Sequence, residues 1–144
     1  MEQPIMQFSA VLADDEISIL KGFEDAVDWA ALGIKVVSLA RNGKEALNAI
    51  IEHKPDVAII DMPEISGLEV IQRIRDSGIQ TDFIILSGYD DFSYAKEAIR
   101  YGAKAYLLKP LNNLELYDEI YRICLERSRH GRRSNRSMYQ EKLN

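Results

Sequence analysis

A doubly wound α/β fold built on a five-stranded parallel sheet is what this sequence predicts, and three observations carry the prediction. Five short apolar runs recur along the chain, mostly continuous rather than alternating, which is the pattern of strands buried on both faces. Helically spaced apolar residues follow each run, giving a strict β-α order repeated five times. The connecting stretches are short, and this alternation requires right-handed crossovers with helices on both faces of the sheet.

The first run, Ser9-Ala10-Val11-Leu12-Ala13, leads to a helix marked by Ile17, Leu20 and Phe23 at i, i+3 and i+6. The second, Ile34 to Ala40, leads to Ala46, Leu47, Ile50 and Ile51. After Val57-Ala58-Ile59-Ile60 come Leu68, Ile71 and Ile74 in three-residue steps, and after Phe83-Ile84-Ile85-Leu86 come Phe92, Ala95, Ile99 and Gly102. Ala105-Tyr106-Leu107-Leu108 precedes a last helix carrying Leu114, Tyr117, Ile120, Tyr121 and Cys124. No internal repeat or boundary interrupts residues 5–126, which read as one domain. Residues 127–144 read as a basic tail or linker into which Leu125-Glu126-Arg127 can extend the last helix.

Composition agrees with a single core. The 144 residues are 47% hydrophobic and 28% charged, near the globular average. Cys124 has no partner for a disulfide, and His53 and His130 lack metal-ligand spacing. No apolar run reaches the length of a membrane span and the start has no signal-peptide pattern, so the expectation is a cytoplasmic protein without membrane contact. The net charge of −5 is uneven: residues 1–126 hold 12 basic against 22 acidic residues, and residues 127–144 hold six basic residues against Glu141. An acidic body argues against a nucleic-acid surface on the domain itself. Arg41-Asn42-Gly43-Lys44 precedes a helix without the further glycines of a phosphate loop, which disfavours dinucleotide and P-loop chemistry.

The residues after the strands point to chemistry. Asp14, Asp15 and Glu16 follow the first, Asp61 the third, Ser87 and Gly88 the fourth, Lys109 and Pro110 the fifth. Parallel strands deliver all these positions to one edge, where open α/β sheets bind ligands. Any one acid is as well explained as a cap or turn residue, but that account leaves the convergence of acids, a hydroxyl and a lysine unexplained. Clustered carboxylates suit an oxygen-seeking cation such as Mg²⁺, an aspartate can attack phosphorus, and a lysine and a hydroxyl can hold the phosphoryl oxygens. No base is placed to activate a foreign hydroxyl, so self-phosphorylation fits better than turnover.

These residues, within the stretches VLADDE, ARNGKEAL, PDVAIID, MPEISGLEV, IILSGYDDFSYAKEAI and YGAKAYLLKP, resemble the receiver domain of two-component response regulators over about residues 6–126. The resemblance implies a flavodoxin-like sheet of order 2-1-3-4-5. It implies Asp61 as phosphoacceptor for a sensor histidine kinase, with Asp14 and Asp15 joining Asp61 in holding Mg²⁺ or Mn²⁺. Ser87 and Lys109 would bind the phosphoryl group, Ser87 and the Tyr106 ring would switch conformation, and Pro110 would follow a cis peptide bond. It further implies a homodimer through the fourth helix, fifth strand and fifth helix. The stretch from Asp14 to Gly43, with Trp29, is similar to the branch often joined to AraC-type helix-turn-helix domains, so DNA would be met only through an output domain that this chain does not include.

One departure stands out. The family's spacing from phosphoacceptor to the next helix glycine follows D-x-x-M-P-x-x-x-G, whereas Asp61-Met62-Pro63-Glu64-Ile65-Ser66-Gly67 is two residues shorter. The backbone carbonyl that the family lends to the metal would here belong to Pro63, whose fixed φ constrains it. A shortened loop leaves open a receiver that no longer accepts phosphate and serves as a constitutive docking or dimerisation module. Two other classes are disfavoured: an aspartyl phosphatase wants an acid where Pro63 stands, and a flavin module wants a phosphate loop where three acids follow the first strand.

Overall fold

The apolar runs become β1 (Phe8–Asp14), β2 (Ile34–Ala40), β3 (Val57–Asp61), β4 (Asp82–Ser87) and β5 (Ala103–Leu108), all parallel in the order β2-β1-β3-β4-β5. Between and after them lie α1 (Ile17–Ala26), α2 (Gly43–His53), α3 (Glu64–Asp76), α4 (Phe92–Arg100) and α5 (Asn113–Leu143). This computed structural model describes residues 7–88, 92–110 and 112–143, with side chains through Arg129 apart from Ile17, Ile19, Phe23, Glu64, Ile65, Ser66 and Phe92. The expected start of the body at residue 5 lies outside the described residues, as do the side chains of Ile17, Phe23 and Phe92 in their stripes.

The central strands alternate between two cores, which is why their apolar runs are continuous. Ala10, Leu12, Val57, Ile59, Ile84 and Leu86 pack with Leu20 of α1 and with Leu116, Ile120, Ile123 and Cys124 of α5. Val11, Ala13, Ala58, Ile60, Phe83 and Ile85 pack with Ala46 and Ile50 of α2, Val70, Ile71 and Ile74 of α3, and Tyr94 and Ala98 of α4. Each fully buried aliphatic side chain contributes about 2 kcal/mol of burial free energy. The edge strand β5 alternates instead: Ala105 and Leu107 are buried while Lys104 and Leu108 are exposed. A register shift opposite Phe83 and Ile84 accommodates Lys104 as an extra residue.

The helical stripes need correction in three places. In α4 the buried pair is Tyr94 and Ala98, an i, i+4 spacing, while Ile99 is 50% exposed. Gly102 lies beyond that helix with φ +97°, a left-handed conformation that ends it. In α5 Leu116, Ile120, Ile123 and Cys124 are buried, at i, i+4, i+7 and i+8, whereas Leu114 and Tyr121 face solvent. In α2 Ile50 is buried and Ile51 exposed. Adjacent positions on a helix differ by about 100°, so neighbouring apolar residues cannot all face the core.

At the edge of the sheet where the strands begin, α5 is fastened by Arg127. Its Nε donates to Asp56 Oδ1 (3.0 Å) and its Nη1 to Asp82 Oδ2 (2.9 Å) and the Gln80 carbonyl (3.0 Å). Asp56 Oδ2 in turn accepts the Ser9 N–H at 2.9 Å. Beside it, Arg75 of α3 donates to the carbonyls of Ile79, Tyr101 and Gly102 and lies 5.2 Å from the Phe83 ring centroid. Gly102 is required twice over: its φ is positive, and a Cβ there would stand 2.9 Å from Arg75 Nε.

Candidate phosphoacceptor site

At the opposite edge, parallel pairing sets Asp14 directly beside Asp61, as the last residue pair of β1 and β3. Adjacent strands lie about 4.8 Å apart, so two carboxylates are held at contact range by backbone alone. Both are buried, at 2% and 8% exposure. Asp14 Oδ1 accepts the Glu16 N–H at 2.9 Å, turning the chain toward α1, while its Oδ2 is buried without a hydrogen-bond partner. Burial first, and then the neighbouring charge of Asp61, raises the Asp14 carboxyl to about 7. Asp15 and Glu16 are exposed beside it.

Lys109 answers this charge from β5's end. Its Nζ lies 2.8 Å from Asp61 Oδ2. That hydrogen bond is the main reason its ammonium is held more firmly than an ordinary lysine's, with Asp61, Asp14 and Asp15 adding attraction. The Lys109 N–H donates to the Ser87 carbonyl at 2.8 Å, tying the ends of β4 and β5 together. The Lys109–Pro110 peptide bond is cis. Ser87 is buried at the end of β4, on the same sheet edge as Asp61. Tyr106 is half-buried on β5, paired with Ile85, and its ring meets that of Tyr94 edge-on. Nothing in the sequence marks this contact, because Tyr94 is one aromatic among other apolar residues of α4.

The connection from β3 to α3 consists of Met62 and Pro63 alone. Met62 is buried, and Pro63 caps the helix with φ −50° and ψ 142°. The Pro63 carbonyl accepts the Gly67 N–H at 3.0 Å as the first acceptor of α3. The carbonyl expected to serve a metal is thus already engaged by the helix through one lone pair, and its second lone pair is what a cation would use. Among the described residues no group of three or more His, Cys, Asp or Glu side chains is arranged to hold a metal ion. The site does fit a hard cation that takes one or two carboxylates and completes its shell with water, since an unpartnered, buried Asp14 oxygen stands beside Asp61.

Comparison with known proteins agrees with the fold. The family model described as response regulator receiver domain matches residues 10–121. The chain is 40% identical over 124 residues to the transcriptional regulatory protein YesN of Bacillus subtilis, covering 85% of this chain and 34% of that protein. It is 34% identical over 131 residues to the transcriptional regulatory protein HptR of Staphylococcus aureus, covering 87% of this chain and 51% of that one. The chain thus spans about a third to a half of the length of these relatives. Among solved structures it is similar to the REC domain of AraT, a response regulator from Geobacillus stearothermophilus, at 34% identity and a TM-score of 0.79, covering 88% of this chain and 99% of that one.

Proposed function

Because the chain belongs to the response regulator receiver family of bacterial two-component systems, we propose that Asp61 accepts a phosphoryl group from a sensor histidine kinase. The observation that carries this reading is the Asp14–Asp61 pair in register, with Lys109 on Asp61. An Asp61 carboxylate oxygen attacks phosphorus, the bond from phosphorus to the kinase imidazole nitrogen breaks, and that nitrogen leaves with its electron pair. Lys109 and the Ser87 hydroxyl then hold phosphoryl oxygens, so Lys109 exchanges a carboxylate partner for a phosphoryl one. Asp14 and Asp61, with Asp15 at the exposed rim, would hold Mg²⁺ or Mn²⁺. When bound, the cation neutralises charge on the transferring group. Ser87 moving toward the phosphoryl group vacates space for the Tyr106 ring, and contacts made in only one conformation shift the population.

This is a switch rather than an enzyme with a foreign substrate. Its output surface is the face of α4, β5 and α5, where Ile99, Tyr101, Leu108, Leu114, Tyr121 and Leu125 are exposed; a homodimer or partner would cover it. The receiver, expected over residues 5–126, takes in Arg127 as well, since its guanidinium binds Asp56 and Asp82, and the residues after it form the connection. YesN and HptR are named transcriptional regulatory proteins, which extends to this chain the proposal that the switch governs transcription.

Incubation with Mg²⁺ and acetyl phosphate, followed by intact-mass measurement, tests the reading. The wild type gains the mass of one phosphoryl group and Asp61→Asn gains none. A second reading, the constitutive docking module, draws on the two-residue β3–α3 loop. It is the correct one if neither protein gains mass and insertion of two residues between Asp61 and Met62 restores the gain.

A further inference from the structure

We infer that Tyr94 is a positioning residue of the switch, a rigid side chain that links the first turn of α3 to the Tyr106 ring. The inference rests on the receiver reading in one respect, that Tyr106 reorients. Tyr94 is 4% exposed within the core shared by α2, α3 and α4. Its ring meets that of Tyr106 with centroids 5.6 Å apart and planes at 83°, an edge-to-face arrangement that is mutually attractive. Tyr106 therefore leans on Tyr94 from the solvent side.

The other end of Tyr94 reaches α3. A Cβ on residue 67 would stand 2.6 Å from the Tyr94 hydroxyl oxygen and 3.7 Å from Ile60 Cγ2. Space, not a left-handed backbone, makes glycine necessary here. Gly67 donates its N–H to Pro63 to close the first turn of α3, and only Met62 and Pro63 separate that turn from Asp61. Tyr94 thus spans from the turn beside the phosphoacceptor to the ring on β5. Packed interiors transmit displacement rather than absorb it, so a shift of that turn moves Tyr94 against Tyr106. The short loop tightens the linkage, because two residues leave little slack between Asp61 and Gly67.

The test labels the protein's seven tyrosines with 3-fluorotyrosine and follows Tyr106 by ¹⁹F NMR, its resonance assigned with Tyr106→Phe. In the unphosphorylated protein, Gly67→Ala is expected to shift the Tyr106 resonance, and Gly67→Ala with Tyr94→Phe to return it to its position in Tyr94→Phe alone. Tyr94→Leu is expected at least to halve the Tyr106 change that Mg²⁺ and acetyl phosphate produce, with the mass gain on Asp61 intact. A Tyr106 resonance that is the same in wild type, Gly67→Ala and Tyr94→Leu overturns the inference. So does a Gly67→Ala shift that Tyr94→Phe leaves in place. Absence of a phosphoryl mass gain in the wild type defeats the receiver reading instead, and the Gly67–Tyr94–Tyr106 comparison, which needs no phosphoryl group, still decides this one. Should Gly67→Ala lose its folded circular dichroism, Tyr94→Leu in the unphosphorylated protein decides through the same resonance.

Discussion

The two edges of the sheet hold similar ingredients, a pair of aspartates and a cation, and use them in opposite ways. Where the strands begin, both Asp56 oxygens are engaged, by Arg127 and by the Ser9 N–H, and Arg127 also binds Asp82. Where the strands end, Asp14 keeps a buried oxygen without a partner, and Lys109 serves Asp61 through one contact. A guanidinium delivers several directed donors at once, whereas an ammonium acts as a point charge that can change partner. The satisfied edge builds structure; the unsatisfied edge stores a requirement that a cation and a phosphoryl group can meet.

Replacing Arg127 gives the largest expected effect on stability. Arg127→Ala strips two partly buried carboxylates of their cation and should cost about 3 kcal/mol, read as a lower urea midpoint. A loss below about 0.5 kcal/mol would mean that the two edges do not differ in the way described. At the other edge the sign reverses. A carboxyl whose folded pKa, about 7, lies above its ordinary value of 3.8 binds more protons folded than unfolded. The wild type therefore loses stability as pH rises from about 4 to about 7, and above that the loss stays complete. Asp14→Asn in metal-free buffer should remove this slope and be more stable than wild type at pH 8, by about 2 kcal/mol; equal urea midpoints at pH 5 and pH 8 for both proteins would contradict it. Between the edges, the exposed Arg73–Glu69 pair on α3 is an ordinary surface contact. Arg73→Ala should change stability by no more than about 0.5 kcal/mol, and a larger loss would show that surface charge, not partnering at the edges, dominates.

The sequence shows the unsatisfied edge far more plainly than the satisfied one. Asp14, Asp61, Ser87 and Lys109 each directly end or follow an apolar run, so counting strands is enough to bring them together. Arg127 and Asp56 are 71 residues apart, and nothing local to either marks the pairing. The strands are legible because burial on both faces leaves continuous apolar runs. The faces of α4 and α5 are harder, since Ile99 and Ala98, or Tyr121 and Ile120, are chemically equivalent candidates one position apart, and only the approach of the sheet decides between them. The engagement of the Pro63 carbonyl depends on where α3 begins, which spacing alone does not fix. Tyr94 and Gly67 show the same limit, because the need for glycine arises from a side chain on another helix.

α5 continues as helix from its grip on the sheet through Leu143, and a helix is a screw. Each residue added or removed beyond Arg127 would advance whatever follows by about 1.5 Å and turn it by about 100°. A probe or second protein attached there would therefore sit at an azimuth set by the residue count. Insertions of one, two and three residues would sweep it around the domain, and an insertion of seven would bring it nearly back into phase.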